Sequence, residues 1–188
     1  MIAPADSSAT SLGDIFSWLP LPSGKTLRWL LDQGVPFDTL YMAKGAWVRF
    51  DSSGTFDFDP DGEPAGIFAC EDRGETIDLA AWSARDNKLA TWRHTAFALG
   101  DVDECFNPAT WFDGEGLHVH ASPLDWLRAR AAGIVILNFN LCWAYLRHVP
   151  RVICPNDITA ALVHKHTRAP RCTIKIFVQS NFREGIAA

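Results

Sequence analysis

The spacing of apolar residues changes twice along the chain. In residues 11 to 34 they recur at helical intervals. Ser11 and Asp14 open a short predicted helix in SLGDIFSWL, and Ser23 opens a second in SGKTLRWLLDQG. There Leu27, Leu30 and Leu31 share a face, and Gly34 stops the run. From Trp47 to Phe58 apolar and polar residues alternate in WVRFDSSGTFDF around Ser-Ser-Gly, which predicts a hairpin. AGIFACED and TIDLAAWS, on either side of Arg73-Gly74, predict a second hairpin. LATWR is a further predicted strand, and the Trp- and Phe-rich stretch after it, ending near Asp113, is read as an irregular cover for the core.

After residue 116 the pattern becomes short apolar runs separated by helical stretches. It predicts strands at 117–121, 134–138, 151–154 and 172–178, with helices at 123–132, 141–148 and 157–167. Such alternation implies right-handed crossovers and a mostly parallel sheet covered on both faces. The expected organisation is a disordered tail (1–10), a helical lead-in plus α+β subdomain with two hairpins (11–113), a small α/β domain (114–178) and a second tail (179–188).

Composition narrows the function classes. With 188 residues, 48% of them hydrophobic, the chain is long enough for one domain and a smaller subdomain. A net charge of −5 is the wrong sign for a free-standing nucleic-acid binder, so any such contact must be local or assisted. Five cysteines with no C-x-x-C pair point to reduced thiols and a cytoplasmic setting rather than a disulfide framework or zinc knuckle. No signal peptide and no apolar run of membrane-spanning length is present, so no membrane partner is expected.

Several short patterns have ordinary structural readings. Gly24-Lys25-Thr26 lacks the upstream glycine and strand of a phosphate loop, because Leu19 and LPLP stand there; it reads as a helix start. The acids of DFDPDGEP lack the terminal glutamate and flanking helices of a calcium loop and read as a solvated turn. His118 and His120 share one side of a strand and are candidate metal ligands, with no third ligand assignable. No Ser-His-Asp or Cys-His arrangement emerges from the spacing.

The richest stretch is LHVHASPLDWLRARAAGIVIL, residues 117–137: strand, Ser-Pro helix start, lone acid, helix, Gly133, strand. With LRWLLDQGVPFDTL (27–40), AGIFACEDRGETIDLAAWS (65–83) and RVICPNDITAALVHKH (151–166), it resembles, in chain order, the Toprim-containing catalytic core of bacterial and phage DNA primases. The resemblance implies a Toprim-like α/β domain. It puts the family's general acid/base glutamate at Ala121, its glycine at Ser122, its following aspartate at Asp125, and its Asp-x-Asp pair at Pro155-Asn156-Asp157.

Alanine can neither move a proton nor bind a metal, so the implied site is degenerate. It has no catalytic residue and a residual acidic pair, Asp125 and Asp157, which double as helix-start residues. The expected function is non-catalytic binding of DNA, or of a replication or mobile-element protein, near Arg128, Arg130, Arg147, Arg151 and Lys165. No cofactor is expected. The alternative is a Mg²⁺-dependent nuclease or nucleotidyl transferase in which Glu71, Asp72 or Glu115 replaces the missing glutamate. A third reading is a protein-interaction domain with no nucleic-acid role. The tryptophans, Trp82, Trp92, Trp111, Trp126 and Trp143 among them, are read as core or subdomain seam.

Overall fold

The structure, a computed structural model, describes residues 11–107 and 116–168. Two short helices lead in, α1 (Leu12–Trp18) and α2 (Gly24–Asp32). Ser11 caps α1 in a reciprocal box with Asp14, and the Ser23 side chain accepts from the Thr26 N–H to cap α2. Five strands follow: β1 (Lys44–Phe50), β2 (Phe56–Phe58), β3 (Glu63–Asp72), β4 (Glu75–Ser83) and β5 (Lys88–Thr91). They pair antiparallel in the order β2-β1-β3-β4-β5, and both predicted hairpins lie where alternation placed them.

This sheet curls back on itself. A bridge between Thr55 and Thr91, with the Thr91 N–H donating to Gly54 O at 3.1 Å, links the start of β2 to the end of β5. The alternating pattern then has an inside and an outside. Val48, Phe56, Ile67, Leu79 and Ala81 fill the interior. Phe68, Cys70, Ala80 and Trp82 face outward, where Leu30, Val35 and Leu40 from the lead-in and Trp126 and Leu127 from the later chain cover them.

Asp78 on β4 fastens the chain that leaves β5. Its fully buried carboxylate accepts from the N–H groups of Leu79, Arg93 and Thr95, each at 2.8 Å, from Ala96 N–H at 3.2 Å, and from the Thr95 hydroxyl at 3.1 Å.

The later chain holds β6 (Ala98–Leu99), β7 (Leu117–His118), α3 (Pro123–Arg128), β8 (Val135–Ile136), α4 (Cys142–Leu146), β9 (Val152–Ile153) and α5 (Asp157–His166). This corrects the expected fold class. Among the described residues, parallel pairing is confined to the two-residue contact of β7 with β9 and single bridges such as Val119–Ile134, while β8 pairs antiparallel with β6. The fold is therefore a mainly antiparallel, strongly curled five-stranded sheet with a few short helices, not a mostly parallel Toprim-like layer.

The physical reason lies at the ends of each run. α3 stops at Arg128 because Arg130, Ala131 and Gly133 all take positive φ, which ends the crossover helix after six residues. Gly133 then passes so close to β7 that a Cβ there would lie 2.5 Å from His118 O. The predicted strand at 172–178 falls outside the described residues. Among the described residues no helix is long and apolar enough to cross a membrane.

Candidate functional site

The 117–137 stretch shows what its acid does locally. Ser122 is the N-cap of α3 and Pro123 its first residue; Ser122 Oγ accepts from Asp125 N–H and donates to Asp125 Oδ2 at 2.7 Å. Arg128 approaches Asp125 Oδ1 at 3.5 Å. Asp125 is thus tied into its own helix start. Asp157 occupies the same kind of place: Asn156 caps α5 by accepting from Thr159 N–H at 2.8 Å, and Asp157 is an exposed residue of the first turn. Ala121 is exposed just before the Ser122 cap.

The His118 and His120 rings stack with centroids 6.5 Å apart, and His120 Nε2 is 2.8 Å from Ala132 O, so that nitrogen is already engaged. Burial holds His120 below its ordinary pKa, partly offset by the Ala132 hydrogen bond. Among the described residues no group of three His, Cys, Asp or Glu side chains is placed to hold a metal ion. Asp72, one of the proposed relocated acids, accepts from Tyr145 OH at 2.8 Å; Glu71 is exposed on β3, and Glu115 lies outside the described residues.

The predicted basic contacts are mostly engaged inside the molecule. Arg128 Nε donates to Gln33 O at 2.7 Å, Arg130 pairs with Asp38 at 2.7 Å, and Arg147 lies over the Trp143 ring and donates to His148. Arg151 is exposed beside β9, and Lys165 is exposed in the last turn of α5.

A broad concave surface among the described residues lies elsewhere. Pro20 O accepts from Gly45 N–H at 2.7 Å, so the segment Leu19–Pro22 runs against β1. Beside it opens a groove of about 1720 Å³ between α2, this segment and the outer face of the sheet, reaching the mouth of the curl at Phe58 and Trp92. Its floor is bare at Gly66 on β3, which stands between its cross-strand partners Gly45 on β1 and Trp82 on β4; Gly45 itself is covered by Leu21 O and Pro22, which lie 3.1–3.4 Å from where its Cβ would be. Its walls are aromatic. Trp29 of α2 tilts against Trp82 with ring centroids 6.3 Å apart, Phe68 closes the floor, and Trp47 stands on the far side.

Three large apolar side chains of this lining are open to solvent: Trp18 at 63%, Trp47 at 55% and Leu21 at 53%. Burying what remains open of each would gain roughly 1–2 kcal/mol. A folded monomer seldom exposes so much apolar surface in one place without a use for it.

The sequence reading of tryptophans as core holds for Trp82 and Trp126, both buried, the second donating from Nε1 to Gly133 O at 3.0 Å. It misses Trp18 and Trp47. A usable signal was there: Trp47 alternates with the buried Val48, which puts it on the outer face, and LPLP cannot continue a helix. Trp111 lies outside the described residues. Compared with protein families, curated proteins and solved structures, the chain matches none.

Proposed function

We propose that this protein is a binding module without catalytic activity, and that it engages a protein partner through the aromatic groove between α2 and the curled sheet. The observation that carries this reading is the exposed Trp18, Leu21 and Trp47 around a glycine floor. Such a surface combines aromatic area of low conformational cost with room for an incoming backbone. The residual acids support no comparable chemistry, since Asp125 is committed to its helix start.

Gly66 supplies a clean test. A Cβ on it would meet Phe68 Cε2 at 3.6 Å and Trp82 Cε3 at 3.9 Å, ordinary contact distances, so the first carbon of a Gly66→Leu side chain is accommodated and the rest of it occupies groove space. Selection of a random-peptide library on the full chain is expected to return peptides that lose about tenfold or more in affinity on a Gly66→Leu protein of unchanged circular dichroism. If no selected peptide discriminates the two proteins, the groove reading is wrong. A metal-dependent reaction on DNA that disappears in Asp125→Asn would establish the enzyme reading in its place.

A further inference from the structure

The groove has chemically different ends. It is lined from β2 to the turn after β4, so it crosses the strands rather than running along them. At the β4 end stands Arg85, in the turn after that strand, and Lys25 of α2 is a second cation of the lining. Lys25 lies one turn before Trp29 on α2, and Arg85 three residues after Trp82, so each cation is a near chain neighbour of one member of the Trp29–Trp82 pair. Both are exposed, and among the described residues neither makes a salt bridge. Glu63, the acid on which Arg85 acts electrostatically, is already held by Lys88 Nζ at 2.8 Å. At the β2 end the charge is reversed: Asp57 is exposed, while Asp59 is paired with Arg49.

Size separates the classes of occupant. Sites for small molecules enclose about 300–1,000 Å³, well below the roughly 1720 Å³ of this groove. Crossing from β2 to β4 covers three strand spacings of about 4.8 Å, close to 14 Å in all. About five residues of an extended, polyproline-like backbone span that distance at roughly 3.1 Å each. The chain already shows how such a backbone is received: Leu19 has φ −67° and ψ 140°, and Pro22 Cα passes 3.1 Å from where a Gly45 Cβ would sit.

Resting on the binding reading above, we propose that the occupant is an extended, proline-bearing apolar segment of a partner protein, oriented by acidic side chains drawn to the groove's cations, Lys25 and Arg85. The aromatic walls hold the apolar middle, and the two cations fix which way the segment lies. Charge at the rim of a groove sets register and choice of partner more than total affinity.

The test uses peptides from the library selection that depend on Gly66. They are expected to carry Asp or Glu at a constant distance from the apolar-proline stretch. A Lys25→Glu/Arg85→Glu protein is expected to bind them about tenfold more weakly at low salt. Selection on that protein is expected to return Lys or Arg at the same position. Groove-dependent peptides with no acidic preference, or with less than about a twofold response to the charge reversal, overturn this orientation while leaving the binding function standing. The absence of groove-dependent peptides overturns both.

Discussion

Asp78 gives the most severe prediction for stability. In Asp78→Ala the backbone N–H groups of Arg93, Thr95 and Ala96 lose their acceptor, while the Thr95 hydroxyl keeps Ile77 O at 3.1 Å. The Leu79 N–H is also orphaned, though it lies next in the chain. Donors left unsatisfied in a buried setting cost about 1–3 kcal/mol each. Arg93 and Thr95 are exposed residues that water can partly satisfy, so the lower figure applies to them, and a total of about 4 kcal/mol follows. For a chain of this size that corresponds to a fall in Tm of roughly 8–16 °C.

Asp78→Asn is the sharper probe. It keeps the acceptor facing Leu79 and Arg93 but turns an NH₂ toward the Thr95 and Ala96 N–H groups. It should cost nearly as much as alanine, whereas Thr95→Ala, which removes one hydroxyl, should cost about 1 kcal/mol. Urea melts of the three variants decide it. An asparagine variant within about 1 kcal/mol of the parent would show that the carboxylate is not what holds the 93–96 turn.

Three further outcomes follow from the same geometry. Gly62→Ala should destabilise by about 2 kcal/mol or more, because a Cβ there overlaps the Val48 carbonyl, whereas Gly66→Ala should be neutral to slightly stabilising; thermal melts that rank the two the other way contradict the placement of β3. Burial depresses the His120 pKa, so the unfolded chain takes up this proton first; the stability it lends is full above about pH 7 and is lost as the pH falls through 6.5 toward the folded value. His120→Gln should therefore lose less Tm than the parent between pH 7.5 and 5.5, and parallel pH profiles would refute the assignment. Cys70 is fully buried with its thiol pKa pushed up by burial, and the Cys142 thiol is raised to about 11 by the same cause, so both should resist a thiol reagent in native buffer and react on unfolding.

The parts of the fold readable in the sequence are those governed by near neighbours. The Ser11 and Ser23 caps, the alternation from Trp47 to Phe58 and the turn at Arg73-Gly74 are local signals, and each element lies where they put it. The order of the strands depends on distant partners. Nothing near Leu99 announces that Val135 will pair with it antiparallel, and nothing near Thr55 announces Thr91. The strand-helix-strand rhythm after residue 116 is present, but runs of two paired residues are too short to build a parallel sheet. The groove was partly visible as an outward-facing Trp47 beside LPLP. Its floor was not, because Gly45 and Gly66 acquire meaning only once β1 and β3 are set side by side.

The lead-in is held by partners that are made much later. Thr39 Oγ1 donates to Leu127 O, Arg128 reaches back to Gln33 O, and Arg130 pairs with Asp38, contacts that join positions 88 to 95 apart in the chain. At a synthesis rate of about 5–20 residues per second, the stretch from Gln33 to Asp38 waits roughly 5–20 s on the ribosome for the residues that lock it. Through that interval α2 and the outer face of the sheet are made but not yet secured by α3. The aromatic side chains that line the groove of the finished protein are then a larger apolar surface on the nascent one, and the timing of α3 sets how long it stays uncovered.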